Sequence, residues 1–187
     1  KNGHTVLVIG SGVSGLLHIQ LAKLKGAAVF ATDISEYRLG KAAGFIGAGH
    51  VFHADRYSAD ELKKMNNGKL ADRVIVCAGA TQAARQAVSS VDRKGTVLFF
   101  AVPREDISIP SMRFWRDEIT VTFSYGAAPD DLRTALSLIE KGGVDAKKMV
   151  THTIALSDIQ KGFALAAGAA ESLKVVIVPD AAQKTST

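Results

Sequence analysis

The chain has 187 residues, 47% hydrophobic and 22% charged, the make-up of a folded globular protein with room for one core, or for one domain and part of a second. No stretch of about 18 apolar residues occurs, which excludes a transmembrane helix, and the single cysteine, Cys77, excludes an internal disulfide and any multi-cysteine zinc site within the chain. The net charge of +5 is carried by dispersed lysines and arginines with only 6% aromatics, so no nucleic-acid partner is expected, although a mildly positive field suits a small anionic ligand.

The chain opens at Lys1 without methionine and without a signal peptide, so an upstream segment is open. Thr5-Val6-Leu7-Val8-Ile9 reads as a strand covered on both faces, because it is apolar without alternation. Gly10-Ser11-Gly12-Val13-Ser14-Gly15 follows, then an amphipathic stretch with Leu16, Leu17, Gln20, Leu21 and Leu24 at helical spacing. A second apolar run from Ala28 ends at Asp33, eighteen residues beyond Gly15. Strand, glycine turn, helix, strand and acid in this order form the arrangement that holds a dinucleotide. Gly10 permits the tight turn, Gly12 lets the backbone approach a pyrophosphate, and Gly15 lets the helix press on the sheet. The helix start at Val13 and Ser14 offers unpaired amides and the positive end of the dipole. Asp33 accepts from the ribose hydroxyls and repels a 2′-phosphate.

Further strands are expected at about 50–54, 73–78, 95–101 and 118–124, besides 5–10 and 28–33, with helices at about 13–25, 35–48, 58–66 and 80–91. This alternation predicts an α/β fold: a doubly wound, parallel, six-stranded Rossmann sheet with helices on both faces. Ile119-Thr120-Val121-Thr122-Phe123 alternates, as suits an edge strand or one that meets a partner subunit. Composition shifts at Ser124–Pro129, which divides the chain into a dinucleotide-binding domain, 1–124, and a segment 125–187. Pro129 with Asp130 and Asp131 opens a helix whose face carries Leu132, Ala135, Leu136 and Ile139, ended by Gly142-Gly143. A strand at Val150–Leu156, a helix opened by Ser157 and Asp158, a strand at Lys174–Val178 and a polar tail complete it. This segment has too few strands for a sheet of its own and needs another part of the protein to pair with. His18, His50, His53 and His152 read as structural or surface groups and Trp115 as packing, so no metal ligand is expected.

The fingerprint Thr5–Gly15, its continuation Gln20–Lys23 with Gly26-Ala27, and the later Asp33-Ile34…Arg38-Leu39, Ala42-Ala43-Gly44, Ala48-Gly49, Gly95-Thr96-Val97 and Lys174–Ile177 together resemble the zinc-dependent medium-chain alcohol, polyol and threonine dehydrogenases. The resemblance covers nearly everything from Gly3 to Pro179. It implies that 125–187 is a return segment of a catalytic domain whose N-terminal part, with the zinc ligands, is not in this sequence. The chain is then a fragment: a cofactor domain expressed alone, a proteolytic core or a truncated sequence. The implied cofactor is NAD(H), with zinc only in the full-length enzyme, and the implied substrate a small alcohol or polyol. The fragment is expected to bind cofactor without catalysis, having no catalytic residue of its own.

The resemblance also implies that Ile34 and Arg38 lie at the adenine ribose, Cys77-Ala78-Gly79 on the adenosine rim, and Phe100-Ala101-Val102 at the nicotinamide carboxamide. Phe123, with Tyr125, faces the same ring, and Lys174 reaches the pyrophosphate; the family usually has glycine near Thr122, so that wall differs here. It implies further a homodimer or tetramer joined through the strand at 119–123; the single cysteine suits a cytoplasmic location, and with no long apolar run no membrane partner is expected. Two alternatives stand beside it: an NADPH-dependent zinc-free reductase of the same superfamily, against which Asp33 argues, and a stand-alone NAD-binding regulatory domain, against which segment 125–179 argues.

Overall fold

The computed structural model describes residues 3–168 and 170–180, so the polar tail lies outside the described residues. The chain falls into two units, Lys1–Val144 and Asp145–Thr187. The first contains β1 (Thr5–Ile9), α1 (Val13–Leu24), β2 (Ala28–Asp33), α2 (Glu36–Ile46), β3 (Val51–His53), α3 (Ala59–Met65), β4 (Ala71–Val76), α4 (Thr81–Ser90), β5 (Val91–Phe99), α5 (Ser111–Arg116), β6 (Thr120–Phe123) and α6 (Pro129–Glu140). Its six strands run in the order β3-β2-β1-β4-β5-β6, and every neighbouring pair is parallel. The expected doubly wound sheet is therefore present, with its order reversing between β1 and β4.

The apolar run of β1 is buried along its whole length, as a strand with helices on both faces must be. Leu7, Leu16, Ile19 and Leu62 are wholly buried, and each contributes roughly 1.5–3 kcal/mol by leaving water. Two helices start on serine: the Ser35 side chain accepts from the Arg38 amide and that of Ser58 from the Glu61 amide. In α1 the inward stripe is Gly15, Leu16, Ile19 and Gln20, whereas Leu17 and Leu21 line a small apolar hollow with Ala135, Leu138, Ile139 and Val144. Periodicity shows that a helix has an apolar stripe; it does not show that this helix has two.

Three elements differ from the sequence reading. The helix α5 was not foreseen. Of its aromatics, Phe114 is buried and Trp115 is 80% exposed, so Trp115 is not a packing residue. Adjacent residues on a helix point about 100° apart, and Phe114 takes the inward direction. Second, β5 begins at Val91, directly from α4, and ends at Phe99. Third, the apolar face of α6 is open, with Leu132 63% and Leu136 57% exposed.

The second unit holds β7 (Val150–Ala155), α7 (Ile159–Gly168) and β8 (Lys174–Val178). Here β7 and β8 pair with one another, in parallel, with a register shift between Val150 and His152. The expectation that this segment forms no sheet of its own is corrected: α7 is the crossover that a parallel pair requires. It packs closely, since a Cβ on Gly162 would lie 2.7 Å from Ile177 Cδ1. The division of the chain falls after α6, one helix later than the boundary at 124/125. The Gly143 and Val144 amides both donate to Leu138 O, and a Cβ on Gly143 would touch Leu24, which ties the end of α6 into the first unit. No described helix is long and apolar enough to cross a membrane.

Candidate functional site

Register decides which residues share the C-terminal edge of the sheet. Ile9 pairs with Thr32 on one side and with Val76 on the other. Gly10, Asp33 and Cys77 therefore leave neighbouring strands at one level, and β5 adds Phe100 beside them, its amide donating to Val76 O at 3.0 Å. This edge, at the point where strand order reverses, is where an open α/β sheet forms a crevice for ligands.

The three glycines differ in what surrounds them. Gly10 has φ +93°, and a Cβ there would lie 3.0 Å from Ala78 Cβ. A Cβ on Gly15 would lie 1.9 Å from Gly10 O, so the helix starts against the turn itself. Around Gly12, by contrast, no described atom beyond its own chain neighbours lies within 4 Å of a Cβ. Gly12 also caps α1, with no side chain bonded to the helix start and no acid in its first turn. The amides at Val13, Ser14 and Gly15 thus keep the positive end of the helix dipole facing the crevice.

Asp33, 6% exposed, braces this turn. Its Oδ2 accepts from the Ser11 amide at 2.7 Å and its Oδ1 from the Ser35 amide at 2.9 Å. The Arg38 guanidinium stands 4.0 Å from Oδ1. Ile34 is 69% exposed, and its carbonyl accepts from His53 Nε2 at 2.9 Å, which fixes the backbone just past the acid. The sequence reading placed Asp33 without its partner: Ser11 is wholly buried, and its middle position in the glycine turn was the available signal.

On the other side of β1, the loops after β4 and β5 are laced together. Val102 O would be 2.7 Å from a Cβ on Gly79, and the Arg104 amide donates to Gly79 O at 3.1 Å. Phe100 and Val102 present apolar surface there, Val102 82% exposed, and Phe123 stacks on Phe99 at 5.4 Å between centroids. His18, one turn into α1, meets this side: its Nδ1 lies 2.8 Å from Ser14 O and 3.6 Å from Cys77 Sγ, and its ring stands edge-on to Phe100 at 4.7 Å. Burial lowers the His18 pKa and pushes the Cys77 thiol up to about 12, leaving it a protonated, unreactive group. His18 was read as structural or surface; its spacing of four from Ser14 on the helix is the signal that was present.

The expected residues Gly10, Gly12, Val13, Ser14, Gly15, Asp33, Ile34, Arg38, Cys77, Ala78, Gly79, Phe100, Ala101 and Val102 all lie along this one edge. Phe123 ends the outermost strand, β6, and Lys174 opens β8 in the second unit, exposed. A concavity of about 690 Å3 lies elsewhere, among α2, β3 and α3, and shares no residue with this set. Among the described residues no three of His, Cys, Asp and Glu come together in a way that could hold a metal ion.

The sequence profile of the family described as zinc-binding dehydrogenase matches residues 14–141. The chain is 34% identical to the sorbitol dehydrogenase of Halalkalibacterium halodurans over 186 residues, covering 96% of this chain and 53% of that protein. Among solved structures, 2R,3R-butanediol dehydrogenase from Bacillus subtilis matches with a TM-score of 0.84 at 27% identity, over 96% of this chain and 52% of that one. Zinc dependent alcohol dehydrogenase 2 from Streptococcus pneumonia matches at 0.87 and 25% identity, over 96% and 53%. The chain thus spans about half the length of the relatives it matches.

Proposed function

The chain belongs to the zinc-binding dehydrogenase family, and from that premise we propose that its first unit holds NAD(H) as the coenzyme part of an enzyme moving a hydride between an alcohol or polyol and NAD+. One observation carries the cofactor reading. Gly10 and Gly15 are each required by a contact inside the protein, whereas nothing described beyond its own chain neighbours approaches the site of a Cβ on Gly12. A glycine with free space above it, at an uncapped helix start, suits a ligand's phosphates brought against the backbone.

The residues present fit a dinucleotide. Val13, Ser14 and Gly15 would hold the pyrophosphate through their amides. Asp33 would take the adenosine ribose hydroxyls, with Ile34, Arg38 and the Cys77-Ala78-Gly79 rim around the adenosine. The backbone at Phe100-Ala101-Val102, with Phe123 beyond it, would orient the nicotinamide. When bound, NAD+ supplies the hydride-accepting ring; the contribution of this chain is orientation, which removes part of the entropy barrier to transfer. Zinc belongs to the proposal only for a full-length enzyme. The reading carries with it a cytoplasmic location and a homodimer or tetramer joined at 119–123.

Fluorescence titration of the 187-residue chain with NADH and NADPH tests the cofactor. NADH is expected to bind at least about tenfold more tightly, because a 2′-phosphate would face the Asp33 carboxylate. Equal affinities would take Asp33 off the ribose and give the phosphate to Arg38.

A further inference from the structure

Resting on the dinucleotide reading, we propose that His18 is a positioning residue for the nicotinamide half of the cofactor: it ties the α1 start, the end of β4 and the end of β5 into one wall. Three residues expected at the cofactor from three separate elements, Ser14, Cys77 and Phe100, all touch this one side chain. Sheet order places them. With the adenosine ribose on Asp33 at the end of β2, the rest of a dinucleotide crosses β1 toward β4 and β5. His18 stands on that far side, its ring held edge-on by Phe100 at an interplanar angle of 71°.

The contact with Ser14 also sets the tautomer of the neutral ring. A carbonyl only accepts, so the 2.8 Å contact with Ser14 O puts the proton on Nδ1 and leaves Nε2 bare. Phe100, just past β5, packs on the ring, and His18 lines an apolar hollow with Leu17 and Leu21 from α1, Ala135, Leu138 and Ile139 from α6, and Val144. Among the described residues, the titratable group facing it is Cys77, just past β4, which burial keeps protonated. None of these offers a countercharge, so a second proton on His18 would place an unpaired cation in an apolar setting and work the wall loose. Neutral His18 is the form the wall needs. NADH affinity is then expected to fall as pH drops through the lowered pKa of His18 in the folded chain.

The test titrates NADH, and separately ADP-ribose, which lacks the nicotinamide, into the 187-residue chain at pH 7.5, 6 and 5. His18→Gln keeps a donor for Ser14 O but cannot titrate; His18→Phe keeps a ring but cannot donate. For the unmodified chain, NADH affinity is expected to weaken about threefold or more across this range, and ADP-ribose affinity to stay level. His18→Gln should bind NADH with a level profile, and His18→Phe should bind it more weakly at every pH while ADP-ribose is unaffected. The proposal falls if His18→Gln keeps the pH dependence, or if both ligands weaken in parallel in the unmodified chain. Should His18→Phe not fold, the His18→Gln profile decides. If neither ligand binds the unmodified chain at any pH, the dinucleotide reading fails first and takes this inference with it.

Discussion

At the scale of single residues, Gly12 and Gly15 are the same amino acid three positions apart and answer to different forces. Alanine at Gly15 would push a methyl to 1.9 Å from the Gly10 carbonyl oxygen, a backbone atom with no flexible side chain to yield. We expect Gly15→Ala to cost about 2 kcal/mol, or roughly 6 °C in thermal midpoint, from overpacking. Gly12 has φ −69° and ψ −168°, extended backbone that alanine adopts freely, and open space beyond. Gly12→Ala should leave the midpoint within about 0.5 kcal/mol of the unmodified chain while weakening NADH at least about tenfold, since the methyl stands where phosphate must meet the amides. Thermal melts and fluorescence titrations of both variants check the pair; loss of stability in Gly12→Ala, or full NADH affinity, would count against the open-groove reading.

At the scale of elements, β6 is the last strand in the sheet, paired to β5 from Thr96↔Thr120 to Phe99↔Phe123. Ile119, just before it, and its inward Val121 pack on the core, while Thr120, Thr122 and Phe123 are exposed, Phe123 by 64%. It carries neither lysine nor proline, the usual means of blunting an edge. A second copy pairing along this edge would satisfy its outward backbone groups. Light scattering at micromolar concentration is expected to show a dimer, and Val121→Pro, which removes an amide and fixes φ, to yield monomer or insoluble protein. A soluble monomer for the unmodified chain would refute this use of the strand.

For the whole molecule, the two units differ in how much they bury. In the first, Leu7, Val8, Val74 and Val97 are wholly buried at the centre of a six-stranded sheet. Among the described residues the second has two strands and one α-helix, and β8 has no buried residue; a two-stranded sheet of this kind is marginal in water. Hydrogen exchange should find the slowest amides in β1 and β4, and those of β7 and β8 faster by about 100-fold or more. Equal protection in β8 and β1 would mean that the two units open as one.

The fold was legible in the sequence because each of its signals is local. A continuous apolar run, a serine cap or a glycine turn acts on its own few residues, so β1, α1, β2 and the αβ alternation could be read in order. The edge carrying Gly10, Asp33 and Cys77 followed from that order alone, because parallel strands bring their C-terminal ends to one side. What sequence did not decide are the choices between neighbours competing for the same space. Phe114 rather than Trp115 turns inward, β8 pairs with β7, and α6 remains with the first unit. In the same way Ser11 gives its amide to Asp33, and His18 finds Ser14, Cys77 and Phe100. Each is a contact between residues distant in the chain, or a contest between adjacent ones, settled by register and close packing, which only the folded chain supplies.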